Sequence, residues 1–122
     1  MPHITFKGIS VEDVRELSTK LIDDMSYFLE TPRDYFTLEV IENTFIYDGK
    51  IGLNKYPIIY VEWFDRGQDA KDNCARIITT LVKRQIEKST IHHQTNISDE
   101  NCISVIFKSL QKDSYYDNGE HY

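Results

Sequence analysis

The apolar positions along the chain switch between two periods. Ile4 to Lys7 is a short β-prone run that Gly8 ends. From Ser10 the spacing changes to threes and fours. Val11, Val14, Leu17, Leu21, Ile22, Met25, Phe28 and Leu29 form one stripe, and Glu12, Asp13, Glu16, Lys20, Asp23 and Asp24 fill the other side. That pattern predicts an amphipathic helix lying on a core. Ser10, with Asp13 three residues on, makes an N-terminal cap with acids where the helix dipole favours them. Thr31-Pro32 predicts the stop. Phe36, Leu38 and Val40 then alternate with polar positions, the period of a half-buried strand. Phe45 and Ile46 predict a short strand before an Asp48-Gly49 turn, and Lys50 to Tyr56 reads as a loop.

The order then repeats. Pro57 to Phe64 is a nearly continuous β-prone run, which predicts a strand buried on both faces. Asp65-Arg66-Gly67 is a turn. Ala70, Cys74, Ile77, Ile78, Leu81, Val82 and Ile86 form a second helical stripe. Glu87 to Asn101 is polar and reads as a surface loop, and Ile103 to Phe107 is the last main strand. The tail carries a turn signal with paired aromatics, Tyr115-Tyr116-Asp117-Asn118-Gly119. Residues 1–122 therefore read as one domain: a βαβ unit over about 2–46, a second over about 57–110, and a tail over 111–122. Pro2 and Pro57 each open a first strand, 55 residues apart. The fold class is α/β (α+β), two tandem βαβ units forming a four-stranded sheet. Right-handed crossovers place both helices on one face. The opposite face is expected to carry apolar residues that one subunit leaves open, which predicts oligomerisation.

Charge narrows the partners. Lys and Arg number 14 against 20 Asp and Glu, for a net charge of −6. An acidic chain lacks the basic face that nucleic acid or an anionic membrane requires, though a locally positive pocket can still hold a small anion. No apolar run approaches the ~20 residues of a membrane span, and the first residues carry no secretory h-region. Cys74 and Cys102 read as two buried thiols in a reducing cytoplasm. The Asn96-Ile97-Ser98 sequon carries no weight in that compartment. His3, His92, His93 and His121 share no metal-ligand spacing with one another or with cysteine, so no metal site is expected. No Gly-rich phosphate loop or nucleophile elbow is present, and no cofactor is implied.

Proline directly after Met1, two βαβ units and this length together resemble the tautomerase superfamily, which includes macrophage migration inhibitory factor and 4-oxalocrotonate tautomerase. The segments PHITFKG, TPRDYFTLEV, YPIIYVEWFDRGQ and YYDNGEH resemble an uncharacterised bacterial branch, known only as a domain of unknown function. The resemblance covers essentially the whole chain. It implies a homotrimer in which Pro2, freed by loss of Met1, serves as a general base or acid on small 2-oxo acids or enols. In some larger members, arginines in the loop occupied here by Arg66 hold the substrate carboxylate. Near relatives of macrophage migration inhibitory factor carry a lysine just ahead of the proline that stands here as Pro32. This chain has Thr31 there and Arg33 after it, which puts the first unit's cationic contact in doubt.

The residue chemistry fits that implication. A proline nitrogen inside a chain is an amide and no base. Freed, it is a secondary amine, and an α-amino group titrates near ~8. Burial and a nearby cation lower that value toward the range of a useful base. Pro2 alone also reads as the opening of an edge strand, where a missing N–H is tolerated. Arg66 lies after a strand and before a helix N-terminus, where anions are well received, and its guanidinium can grip a carboxylate. Its plainer role is an ion pair with Asp65 or Asp69. Arg33 reads as a surface ion pair. Tyr115 and Tyr116 are candidate pocket walls or hydroxyl donors, and Trp63 a further aromatic wall; interface packing is their plainer role. Glu39 and Glu62 interrupt apolar strands and are candidates to activate water or hold an ammonium. The expected function is cofactor-free tautomerase/isomerase chemistry. The alternatives are a non-catalytic homo-oligomer that binds a small acid or a protein, and a related dehalogenase or decarboxylase.

Overall fold

The computed structural model describes residues 1–93 and 102–121. The elements are β1 (His3–Lys7), α1 (Val11–Leu29), β2 (Thr37–Val40), β3 (Ile46–Tyr47), β4 (Lys50–Ile51), β5 (Ile58–Trp63), α2 (Gln68–His93), β6 (Ser104–Ser109), β7 (Tyr116–Asp117) and β8 (Glu120–His121). The main sheet has the order β2-β1-β5-β6. β1 and β2 are parallel, β5 and β6 are parallel, and β1 meets β5 antiparallel. The two βαβ units therefore lie side by side, pointing in opposite directions.

Local chemistry sets the helix limits. The Ser10 side chain accepts a hydrogen bond from the Asp13 N–H at 3.1 Å, and Glu30 ends α1 in the left-handed conformation with its N–H on the carbonyls of Ser26 and Tyr27. The stop therefore falls one residue before Thr31-Pro32. Val14, Leu17, Leu21, Met25 and Leu29 are buried, whereas Val11 and Phe28 at the margins of the stripe are exposed. Asp13 departs from the sequence pattern. It is buried between the helices, where the Gln85 amide donates to it at 3.1 Å and the Ser89 hydroxyl also donates. Gln85 and Ser89 grip a helix rather than a hydrophobic core, so α2 runs on through 87–93, a stretch whose polarity reads as loop. The rest of that predicted loop, 94–101 with its sequon, lies outside the described residues.

Ile4 and Phe6 of β1, Ile59, Val61 and Trp63 of β5 and the stripes of both helices form one buried cluster, with Leu38, Val40, Val105 and Phe107 packed against it. Both helices thus cover one face. The open face carries His3, Thr5 and Lys7 beside Thr37 and Glu39, then Ile58, Tyr60 and Glu62 beside Ser104, Ile106 and Lys108, as the register dictates. That face is mixed rather than apolar. Burial alternates along β5, so the strand is not buried on both sides within one chain. Lys7 and Lys108 both lie over the Tyr60 ring, 5.3 and 4.9 Å from its centroid. Lys50–Ile51, read as loop, pairs with Ile46–Tyr47 in a hairpin. Asp48 and Gly49 supply the two positive φ angles its turn needs, and Asn118 and Gly119 do the same for β7–β8.

The two units repeat in detail. Pro2 and Pro57 are both fully buried. The N–H of Thr37 donates to the Pro2 carbonyl at 3.2 Å, and the N–H of Ser104 to the Pro57 carbonyl at 3.0 Å. Among the described residues no helix is long and apolar enough to cross a membrane.

Candidate functional site

The antiparallel junction decides what surrounds the amino terminus. The starts of β1 and β2 lie at the same end of the sheet as the finish of β5 and β6. His3 pairs with Glu62 in the ladder, so one step further Pro2 comes level with Trp63 and Met1 with Phe64. The turn after β5, the approach to β2 and the segment after β6 all converge on this end.

The Met1 ammonium donates to the Tyr35 carbonyl. Its pKa is held below the ordinary value, first by burial and second by the Arg66 guanidinium, while Asp117 pulls the other way. Arg66 and Asp117 therefore both act on the amine. The Arg66 Nη1 donates to the Leu29 carbonyl at 3.0 Å, where the C-terminal dipole of α1 welcomes a cation. The plainer pairing of Arg66 with Asp65 is not formed. Asp65 instead accepts from the Gly67 N–H at 2.9 Å and lies 3.4 Å from the Lys71 Nζ. Arg66 also opposes the effect of burial on Cys74, whose thiol is pushed up to about 11.

Tyr115 closes the other side. Its hydroxyl lies 3.3 Å from the His3 Nε2. Its ring is nearly parallel to that of His3, at 21°, and meets Phe64 edge-on at 5.4 Å. The end of the sheet thus brings together an amino terminus, a buried proline behind it, a cation and a tyrosine hydroxyl. With Met1 absent, the amine would belong to Pro2, one residue deeper. These groups can bind an acid and exchange a proton with it.

The other sequence candidates fall elsewhere. Trp63 is 1% exposed and packs on Phe107 at 4.9 Å, so it is core behind Pro2 rather than an open wall. Its indole N–H has no hydrogen-bond partner among the described residues. Tyr116 points into the tail hairpin, 4.7 Å from the His121 ring, and is 58% exposed. Arg33 pairs with Asp23 on the surface. Glu39 is exposed on the open face and accepts from the Thr5 hydroxyl at 3.0 Å. Glu62, half-buried on the same face, stands between His3 and Lys108 in the ladder. Sequence reasoning missed His3, weighed only as a metal ligand, and Asp117, weighed only as part of a turn. No signal in the sequence marks His3, because strand alternation turns it to the face opposite Pro2. No local signal marks Asp117. Among the described residues no group of three or more His, Cys, Asp or Glu could hold a metal ion.

Two oppositely directed βαβ units on one four-stranded sheet, with a buried proline at position 2, define a protein of the tautomerase fold. Its structural neighbours agree. The wild-type F6 fused 4-OT superposes with a TM-score of 0.65 at 13% identity, over 98% of this chain and 94% of that one. A macrophage migration inhibitory factor-like protein from Entamoeba histolytica gives 0.63 at 15%, over 99% and 98%. Within that fold the chain belongs to the family described as Domain of unknown function (DUF1904), which it matches over residues 1–121. The crystal structure of a DUF1904 domain from Sebaldella termitidis is 33% identical over the full length of both chains, with a TM-score of 0.80. No protein of curated function matches the sequence.

Proposed function

We propose that this protein, once Met1 is removed, is a cofactor-independent tautomerase acting on a small 2-oxo acid or its enol. The observation that carries this reading is a fully buried Pro2 at the end of the sheet where the turn after β5 places Arg66, whose charge lowers the pKa of the partly buried amino terminus. The same two influences, burial and a cation, would lower the pKa of a free Pro2 amine toward neutrality. Arg66 then anchors the substrate carboxylate, exchanging part of its bond to the neutral Leu29 carbonyl for an ion pair. Tyr115 lies against the substrate oxygen.

For ketonisation of an enol the step balances simply. The Pro2 nitrogen takes the O–H proton, and the O–H electron pair becomes the carbonyl π bond. The C=C pair takes a proton at carbon 3, which the Pro2 ammonium returns. Nothing is oxidised and no co-reactant is needed. The working form is proposed to be a homotrimer in the cytoplasm. The mixed open face and the outer edges of β2 and β6, unpaired among the described residues, offer surfaces to neighbouring copies, and the fused 4-OT neighbour is described as an asymmetric trimer.

The test has two stages. Intact mass of the native protein should show loss of Met1. The trimmed protein should ketonise phenylenolpyruvate, and Pro2→Ala should abolish the gain over buffer. Met1 retained throughout the native population, or a Pro2→Ala variant of full activity, would reject the base assignment. A second reading, a non-catalytic homo-oligomer that binds a small acid, is favoured by the bond that already occupies Arg66 on Leu29. It predicts saturable binding of 2-oxo acids with no turnover. Dehalogenase or decarboxylase chemistry finds less support, because Glu39 is exposed and turned to Thr5.

A further inference from the structure

Tyr115 has an unusual place for a residue that must be held to within a fraction of an ångström. It belongs to no strand or helix, lying between a 3-10 turn at Lys112–Ser114 and the two-residue strand β7. His3 is the opposite case. It sits in β1, hydrogen-bonded between β2 and β5, and faces Thr37 directly in the parallel ladder. Its Nδ1 is 2.5 Å from the Thr37 Oγ1 and its Nε2 is 3.3 Å from the Tyr115 hydroxyl. A neutral imidazole has one donor and one acceptor nitrogen, so these two contacts use both and fix the ring against flipping.

We propose that His3 is the positioning residue of this site: an imidazole oriented by Thr37 holds the Tyr115 hydroxyl at the amino-terminal end of β1. The proposal rests on the proton-transfer reading above and adds to it a residue that touches no reacting atom. Orienting a hydroxyl before substrate arrives removes the cost of ordering it during the reaction. The sheet is the rigid reference. It reaches Tyr115 through the second residue of the trimmed chain, so amine and hydroxyl are set by one strand. Thr37 Oγ1, His3 and Tyr115 form a three-member chain drawn from β2, β1 and the tail.

The experiment is a double-mutant cycle on the trimmed protein with phenylenolpyruvate. Tyr115→Phe should lower kcat by about 100- to 1,000-fold, as loss of a donor to a developing charge does. His3→Phe keeps a flat ring but neither hydrogen bond, and should lower kcat to a similar level with KM little changed. The double variant should be no slower than the slower single one, because both remove one function. His3→Gln, whose amide can still bond Tyr115, should recover part of the loss. Losses that multiply, a His3→Phe enzyme of full kcat, or a change confined to KM would each overturn the proposal. Absence of any Pro2-dependent turnover in the wild type overturns the proton-transfer reading instead. The same four proteins then judge the His3–Tyr115 hold by their urea midpoints: coupled shifts keep it, and additive shifts overturn it.

Discussion

Gly8 sits where β1 turns toward α1, with φ +77. A Cβ built there would lie 2.0 Å from the Tyr56 carbonyl oxygen, 2.7 Å from the Tyr56 carbonyl carbon and 3.2 Å from the Pro57 Cα. All three are backbone atoms, so no side chain can swing aside. Gly8→Ala must push the start of β5 away by more than 1 Å, next to the register pair Lys7–Ile58. The left-handed conformation costs an alanine about 1–2 kcal/mol, and forced overpacking about 1–3 kcal/mol more. Together that is about 2–5 kcal/mol, against a total stability of about 5–15 kcal/mol for a domain. Gly67 supplies the control. Its φ is +95, but a Cβ there would meet nothing within 4 Å, so Gly67→Ala should cost only about 1–2 kcal/mol. Urea unfolding of both variants with unchanged m-values measures the gap. A difference below about 0.5 kcal/mol would show that the Tyr56 contact yields freely, and the close-approach argument would be wrong.

Further outcomes follow from the same structure. Asp13→Ala should destabilise by about 1–3 kcal/mol by leaving the buried Ser89 hydroxyl without its acceptor and Gln85 with Glu16 alone; a cycle with Ser89→Ala in denaturant melts should show coupling. Arg66→Met removes a cation that lowers the pKa of the amino terminus, so the acid limb of the trimmed protein's pH–rate profile should move to higher pH. The Cys74 thiol is raised from 9.0 to about 11. Its contribution is complete below pH 9 and is lost as pH climbs toward 11, because the unfolded chain gives up that proton first. Wild type should lose about 2 kcal/mol more than Cys74→Ala across that window, read from urea midpoints at each pH. The Met1 ammonium has the opposite sign: where it is retained, its depressed pKa favours the fold above its unfolded value and costs stability as pH falls through the folded one.

Periodicity carries far in this chain because both helices and the central strands bury one face on a single core. Val14 to Leu29 and Ile59 to Trp63 obey their periods closely. It fails where the partner of a residue is polar. Asp13 reads as solvent-facing and Ser89 as loop, yet with Gln85 they join α1 to α2. β4 was hidden because two-residue strands have no period. At the site, the placement of Arg66 was legible from the order strand, turn, helix. Tyr115 was legible only as an aromatic in a polar tail, and its neighbour Tyr116 looked equivalent. A sequence shows which residues a strand aligns, but not which way a tail folds back. The same limit hid Asp117 and the company that His3 keeps.

The twin prolines carry one more implication. Tyr56 stands before Pro57 as Met1 stands before Pro2, and Gly8 abuts Tyr56 much as Arg66 attends Met1. The tail passes the first residues, since Tyr115 reaches His3. Linking the tail to the first residues and opening the chain between Tyr56 and Pro57 would yield a circular permutant that begins with a proline at the far end of the sheet. Its secondary amine would face a glycine turn sealed against the backbone instead of a guanidinium. One architecture therefore offers two places for a leading proline, and Arg66 acts on the residue ahead of the first.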